Sequence, residues 1–524
     1  MKKKGIFVAI CFLTSGALFA QEEMGAYRFS QSDLNGSARS MSMGGAFGAL
    51  GGDMSAMSHN PAGLGVYRSS EIQTTLDLNS VRSGATWTGV KDKDSRTQLG
   101  FDNLSYVAYF PTGSDYGIKG WNIGIAYNKV KNFNRKISAT GRPDASMGDY
   151  MAARATNTGL RLEDLSMDDN YNPYLNRDLG YHWLPIMGYL GGYIVPVEDK
   201  RDNHAYYSAF SGAPQQAALT MTERGSSDEY NFSLATNISD RVFLGATLGI
   251  MDINYRLGSE YNEAFQGNDY AGLQNSLETE GAAYSVNLGV IVRPIDALRF
   301  GIAYNSPKWY SLTDYYFAYG DTYVSKYQNP KMESQTPVGE YAEYKLRTPD
   351  RWIFGMAGII GRSALISVDY EVTNYAAMYL SDREGNAYKE FNKYIKDDFG
   401  QQHTLKIGGE VKITPQFALR AGYIFQTTPE KSILRDGTNE VIPMGTATQY
   451  SLSNATRYYT AGLGYRFSPN FYMDMAYIHR IQNEKLYPFS NVYDLNNSNR
   501  IVSVDPAELS IKTGRVALTV GYKF

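Results

Sequence analysis

Apolar and polar residues alternate with a period of two in segment after segment of this chain. The last ten residues show it plainly. Val516, Leu518, Val520, Tyr522 and Phe524 fall on one face, and Arg515, Ala517, Thr519, Gly521 and Lys523 on the other. Such a pattern predicts a strand with one apolar and one polar environment. It recurs near 70–80, 100–111, 120–132, 228–238, 241–257, 281–293, 297–309, 342–359, 363–375, 402–413, 416–428, 455–467, 470–482 and 512–524, fourteen segments in all. Five connections are short: Ser239-Asp240, Arg293-Pro294-Ile295-Asp296, Gly361-Arg362, Thr414-Pro415 and Ser468-Pro469-Asn470. Between them lie long polar stretches near 258–280, 310–341, 376–401, 429–454 and 483–511. An even strand count with short turns on one side and long loops on the other is the layout of an outer-membrane barrel, and a soluble sandwich has no reason to keep it. The expected fold is all-β, a 14-stranded antiparallel transmembrane barrel.

The phases assign faces. Ala364, Ile366, Val368, Tyr370 and Val372 face lipid in this reading, leaving Ser363, Ser367, Asp369, Glu371 and Thr373 inside. The same rule turns Arg299, Asp369, Glu371, Lys406, Glu410, Arg420, Arg466, Asp474 and Arg515 into the lumen. Charges of both signs would cost several kcal/mol each in hydrocarbon, so pairing inside the barrel is their expected state. One segment breaks phase. Val242, Leu244, Leu248 and Ile250 share a face, then Ile253 and Tyr255 shift, which fits either a bulge or an apolar patch facing the lumen. Gly124 in the third strand is a place where the ladder is free to bend.

The N-terminus changes the picture from a barrel to an exported one. Lys2-Lys3-Lys4 is a positive n-region, residues 5–19 are apolar, and Ala20-Gln21 is the expected cleavage point, so 1–20 reads as a signal peptide. Cys11, the single cysteine, leaves with it, so no thiol chemistry is expected in the mature chain. Nothing after residue 20 approaches the run of about 20 apolar residues that a spanning helix needs. With 50 Lys+Arg against 53 Asp+Glu the formal charge is -3, which argues against a nucleic-acid partner. The 43 Tyr suit aromatic girdles and the 51 Gly suit tight packing in β-rich structure. Expected surroundings are outer-membrane lipid and lipopolysaccharide. The closing Phe524 resembles the C-terminal signal read by the barrel-assembly machinery, which makes that machinery an expected partner.

Residues 21–68 do not alternate. They carry Met43-Gly44-Gly45-Ala46-Phe47, then Asp53, which is placed to cap a turn through Met57, then Asn60-Pro61-Ala62-Gly63, where Pro61 opens a second turn. Here the chain resembles the FadL/TodX family of outer-membrane transporters for hydrophobic compounds. Arg299-Phe300-Gly301-Ile302-Ala303-Tyr304 ending at Ser306-Pro307, and Thr348-Pro349 before Trp352, extend the likeness over nearly the whole mature chain. The resemblance implies that 21–68 is a hatch folded inside the lumen, with Gly44, Gly45, Phe47, Asn60, Pro61, Ala62 and Gly63 as its motif. It makes 69–524 the barrel. The stretch 133–227, helix-like from Asp149 to Leu165, would be a long, partly helical extracellular insert.

Chemistry is otherwise sparse. None of the five His lies in His-Glu-x-x-His, no Gly-x-Ser-x-Gly elbow occurs, and Gly45, Gly48 and Gly51 follow no strand, so neither an enzyme nor a cofactor or metal is expected. His59 beside Asn60 has no serine placed by a motif, and Asp168-Asp169-Asn170 reads as a solvated loop before it reads as a calcium ligand set. The resemblance implies passive uptake of hydrophobic compounds such as long-chain fatty acids, with hatch displacement and lateral exit into the membrane. The alternative is an accessory barrel of a protein secretion or surface-attachment system.

Overall fold

The computed structural model describes residues 23–176, 179, 182–361, 363–437, 440–441, 445–494 and 499–524. The expected signal peptide 1–20, and Arg362 of one short turn, lie outside the described residues. Fourteen antiparallel strands close into a barrel: β1 (Glu71–Trp87), β2 (Val90–Pro111), β3 (Ile118–Asn132), β4 (Gln216–Ile238), β5 (Val242–Ala264), β6 (Tyr270–Ile295) and β7 (Leu298–Asn305) form one half. The other half is β8 (Arg351–Ile360), β9 (Ala364–Asn374), β10 (Gln401–Lys412), β11 (Phe417–Gln426), β12 (Thr456–Arg466), β13 (Phe471–Tyr487) and β14 (Ala507–Lys523). Each pairs with its sequence neighbours, and β14 closes the ring on β1 from Glu71↔Lys523 to Thr86↔Glu508. Closure leaves no edge at membrane depth, as a lipid-embedded sheet requires. No described helix is long and apolar enough to cross a membrane.

The alternation places the residues as the sequence phases predict. Leu76, Ile123, Leu248, Ile366 and Leu419 are exposed on the outside, while Ser367, Asp369, Glu371, Lys406 and Glu410 are buried within. Aromatic rings band the outer face at two heights. Phe101 stacks on Tyr127 at 5.5 Å and Tyr127 meets Tyr230 at a tilt at 5.6 Å on the long-loop side, where Tyr284 stacks on Trp309 and Tyr304 lies tilted against Trp352. On the short-turn side Tyr465 meets Phe467 at 4.8 Å and Tyr522 meets Phe524 at 5.2 Å. Two girdles with apolar residues between them define the embedded band.

All fourteen segments are strands, but several run farther. β5 spans 23 residues and β6 spans 26, so the polar stretch 258–280 is not a loop. It is a hairpin whose tip is only 265–269. The segment 342–359 is broken at 348–350, leaving Tyr341–Arg347 apart from β8. Tyr341–Arg347 pairs instead with the strand Trp309–Tyr323, which continues the ladder of β6 above β7. Strand also occupies both ends of 133–227: Arg135–Gly141 pairs with the upper part of β4. The helices Met147–Thr158 and Trp183–Leu190 lie between them.

The phase break in β5 is resolved without a bulge. Its register to β4 and β6 is continuous from Val242 to Ala264. Phe243, Met251, Ile253, Tyr255, Leu257 and Tyr261 are therefore all buried on the inner face, so the apolar patch faces the lumen. Gly124 does not bend the ladder either; it stays paired with Val107 and Ser233.

Candidate functional site: the plugged lumen

The N-terminal segment runs down the inside of the barrel. Helix α1 (Glu23–Ser30) lies at the long-loop end, α2 (Ala38–Ser42) lower, then tight turns at Met54–Met57 and Pro61–Val66, before β1 begins on the short-turn side. Ser37 caps α2 by accepting from the Ser40 amide, and its own hydroxyl donates to Asp53 at 2.6 Å. Asp53 in turn accepts from the Ser55 amide at 3.0 Å and starts the next turn. Asn60 is completely buried. Its side-chain oxygen accepts from the Ala62 amide at 3.2 Å, and its amide donates to the Gly48 carbonyl at 2.6 Å and the Val290 carbonyl at 3.3 Å. One side chain thus caps a turn, ties two plug loops and touches the wall. Pro61 occupies the first position of that turn, where a missing N–H costs nothing. Gly44 and Gly45 sit at φ +63° and +66°, which only glycine adopts freely. Phe47 is fully buried beneath the Arg39 guanidinium at 5.5 Å, and Ala62 packs on Phe243 and Ile291.

The wall receives the plug on bare backbone. Inward-facing glycines on eight strands stand where a side chain would strike it: Gly124 against Met57, Gly245 against Pro61, Gly289 against Asn60 and Gly301 against Gly48. Gly355 against Ala49, Gly408 and Gly422 against Met43, and Gly462 against Ser42 complete the ring. Small residues do the same elsewhere, with Ala476 and Ala517 around Ala38 and Met41.

Charge fastens what shape has fitted. Arg39 of the plug pairs with Glu410 at 3.0 Å, Glu410 with Arg420 at 2.6 Å, and Arg420 with Asp474 at 2.6 Å. Asp369 accepts from the Gly48 amide at 2.7 Å. Arg299 donates to the Leu50 carbonyl. Arg515 donates to the Leu34 carbonyl at 2.7 Å while pairing with Asp77 at 2.8 Å and with Asp102. Lys406 pairs with Glu371 at 2.6 Å. Arg466 is exposed at the short-turn mouth, beside Gln416 and Lys523. Eight of the nine charges therefore pair with one another, with partners on the wall or with plug backbone, and Arg466 stands at the rim. Asp77 and Asp102 were not among the expected lumen charges. Asp102 comes inside because a bulge between Thr75/Leu76 and Asn103/Phe101 turns it there, and no alternation reports that.

Above the plug lies a polar chamber of about 140 Å³, floored by Ser58 and His59 and roofed by Tyr27 and Tyr375. Burial, then the Lys406 and Arg351 charges, push the His59 ring down to about 3, so it is neutral. Higher still the lumen is apolar. Met251, Ile253, Tyr255 and Leu257 join Leu219, Met221, Leu273 and Leu277 around Met24, Tyr27 and Phe29 of α1. Phe29 and Phe133 both pack edge-on against Tyr255, at 5.6 and 5.1 Å. Met147, Met151, Ile186 and Met187 of the insert close this cluster from above.

One seam interrupts the wall. β2 pairs with β3 only from Asn103↔Asn128 downward, and β3 is irregular between Lys129 and Lys131. Above that point no ladder of backbone hydrogen bonds joins β2 to the strand Arg135–Gly141 among the described residues; Lys136 pairs with Asp94 at 3.3 Å and the Thr140 amide donates to the Asp92 carboxylate at 2.6 Å. A cavity opens there between Asp102, Lys129, Val130 and Arg515. Asp168 and Asn170 form a tight turn, the Asn170 amide donating to Asp168 at 2.8 Å. No group of metal ligands occurs among the described residues.

A closed barrel with an internal plug, a charged lower lumen and an apolar upper lumen defines an outer-membrane transport barrel. The chain belongs to the outer membrane protein transport protein family (OMPP1/FadL/TodX), which matches residues 222–505. Among solved structures, a FadL homologue of Pseudomonas aeruginosa is similar at 13% identity, covering 94% of this chain and 99% of that one with a TM-score of 0.52. The P. putida toluene transporter TodX is similar at 13% identity over 94% and 99%, TM-score 0.50. A deltaS2 mutant of the TodX monoaromatic hydrocarbon channel is similar at 13% identity over 93% and 98%, TM-score 0.53. At such identity the likeness is one of fold. No curated protein sequence matches the chain.

Proposed function

We propose that this barrel is a passive channel for hydrophobic compounds, long-chain fatty acids among them, in which the N-terminal segment is a displaceable hatch. The observation that carries this reading is the inner face of β5. Porin lumens are polar, because water fills them. Here Met251, Ile253, Tyr255 and Leu257 continue an apolar face into the lumen, where it serves a solute that water rejects. The hatch reading is supported by the fit of plug to wall: a segment resting on glycine backbone and held by a few charged contacts leaves without any wall side chain having to move. Lateral exit is supported by the β2–β3 seam, where no ladder of backbone hydrogen bonds joins the facing strands above Asn103↔Asn128 among the described residues. The strand ending at Phe524 is the proposed signal to the barrel-assembly machinery, and outer-membrane lipid and lipopolysaccharide surround the outer face. TodX, of the same fold, is a toluene transporter by name. The test is a variant lacking residues 23–68, assayed for insertion and for uptake of a long-chain fatty acid. The expected result is a barrel that inserts and loses selective uptake; unchanged uptake would refute the hatch.

A further inference from the structure

On the outer face of the closing strands the surface turns from apolar to basic within a few residues. The last apolar row runs Tyr477, Val516, Leu78 and Leu99 through β13, β14, β1 and β2. The next is small and polar: His479, Gly514, Ser80 and Thr97, with the Thr97 hydroxyl donating to Ser80 at 3.0 Å. Above it Lys512 stands directly opposite Arg82, and Arg457 of β12 lies in the same row beyond Ile481. Lys93 follows one row higher beside Gly84, and Lys485 and Lys91 one row higher again. Five of these six cations are exposed and Lys485 is half-buried. Arg457 lies over the Phe425 ring at 5.7 Å, and none of the six forms an ion pair among the described residues. Glu508 is the one carboxylate in the outward phase of these five strands among the described residues. Like charges placed directly opposite on neighbouring strands are destabilising, so the Lys512–Arg82 pair is a place for an anion.

We propose that the outer face at the β14–β1 closure binds a phosphorylated glycolipid of the outer leaflet, the phosphate resting on Lys512 and Arg82 and the acyl chains descending along Val516, Leu78 and Leu99. Height selects this ligand. Arg82 lies four residues past Leu78, about 13 Å along the strand and about 10 Å higher at a tilt of about 40°. That is the level of lipid head groups and not of acyl chains. A guanidinium takes phosphate oxygens two at a time, and the Ser80 and Thr97 hydroxyls lie just below it. Room is present on either side of the pair, since a methyl group at Gly84 or Gly514 would meet nothing nearer than 3.9 or 3.6 Å. The opposite side of the wall repels the same ligand. In the rows above Tyr230 and Tyr284, Asp228 stands opposite Asp252, followed by Glu280 and Glu343, while Arg256 is taken by Glu278 at 2.6 Å. Lipid phosphate is therefore drawn to one flank of the barrel. The inference rests on the barrel's place in the outer membrane and is independent of what crosses the lumen.

The test uses the purified full-length barrel in a nonionic detergent, with native mass spectrometry counting bound lipid. The probes are diphosphoryl lipid A, the same lipid with its phosphates removed, and inorganic phosphate as a competitor. The phosphorylated lipid is expected to bind at least tenfold more tightly than the dephosphorylated one, and inorganic phosphate should not displace it. Arg82→Gln with Lys512→Gln should weaken it about thirtyfold, near 2 kcal/mol, whereas Arg256→Gln on the acidic flank leaves it unchanged. Heat-modifiable migration establishes that each variant is folded. Equal binding of the two lipids, displacement by inorganic phosphate, indifference to the double substitution, or an equal loss in Arg256→Gln would each overturn the proposal. Uptake of hydrophobic compound should stay at the wild-type level in the double variant. A barrel that holds the lipid and takes up no hydrophobic compound keeps this site and loses the channel reading; one that transports and shows no preference for the phosphorylated lipid does the reverse.

Discussion

Arg39 of the plug donates to Glu410 of the wall at 3.0 Å, and through Glu410 the plug joins a charged chain that spans four strands, from β10 to Asp474 on β13. The guanidinium also holds the Gly52 carbonyl at 3.0 Å, so one side chain braces the plug internally and against β10. Arg39 is 24% exposed and Glu410 keeps Arg420, so the loss on removing Arg39 is moderate. Arg39→Ala should loosen the plug by about 1–3 kcal/mol without unfolding the barrel. Planar-bilayer recordings would show it as a rise in ion conductance, and a silent channel would count against this brace.

The glycine ring gives a sharper instrument. A methyl group at Gly289 would fall on the Asn60 side chain, whereas one at Gly84 meets nothing nearer than the Ser510 carbonyl at 3.9 Å. Gly289→Ala should displace the plug at a cost of about 1–3 kcal/mol, and Gly84→Ala should be neutral. Protease accessibility of residues 23–68 reads the difference.

Arg515 answers two buried carboxylates, Asp77 and Asp102. Arg515→Leu strands both in the lumen and should cost about 3–5 kcal/mol. The triple variant Arg515→Leu with Asp77→Asn and Asp102→Asn should recover most of it. Melting followed by heat-modifiable migration compares the two.

Glu23 at the start of α1 titrates with the seal. Burial first, then the Asp398 charge, push its carboxyl from the usual 4.5 up to about 8, and Tyr394 stands close to the same group. A raised acid is protonated when docked. Between about 4.5 and 8 the undocked helix gives up its proton while the docked helix keeps it, so docking is strongest below 4.5 and is lost as pH rises through 8. Protection of the α1 amides against hydrogen exchange, taken relative to the base-catalysed intrinsic rate at each pH, should therefore fall from pH 6 to pH 9, and Glu23→Gln should flatten the response.

The seam admits a covalent test. Asp94→Cys with Lys136→Cys would bridge β2 to the strand Arg135–Gly141 where a salt bridge of 3.3 Å now stands. If cargo leaves there, the oxidised double variant should take up less hydrophobic compound and the reduced one should recover. Equal uptake in both would place the exit elsewhere.

The strands were legible because lipid on one side and packed polar groups on the other impose a strict period of two. Above the membrane the phase inverts: the outer face turns polar while the inner faces of β4, β5 and β6 pack the apolar upper lumen, so the period is interrupted and the outer parts of several strands read as loops. Asn60 and Pro61 were legible as a capped turn, since capping is local chemistry. Their tie to the Gly48 and Val290 carbonyls was not, because it joins residues far apart in the chain. Asp102 was hidden by a bulge, and the pairing of Lys406 with Glu371 only by distance in sequence. The glycine ring did leave a trace: Gly245, Gly289, Gly301, Gly355 and Gly408 all fall in the inward phase of their strands. What no phase reveals is that they share one height.

The reach of β5 and β6 sets the channel's mouth. Twenty-three residues at about 3.3 Å each, tilted about 40°, rise roughly 58 Å, against an apolar band about 25 Å tall. About half of this side of the wall therefore stands clear of the hydrocarbon, while β7 to β12, 8 to 12 residues long, do little more than span it. On that side the wall offers protein surface well above the hydrocarbon band, polar outside and apolar within.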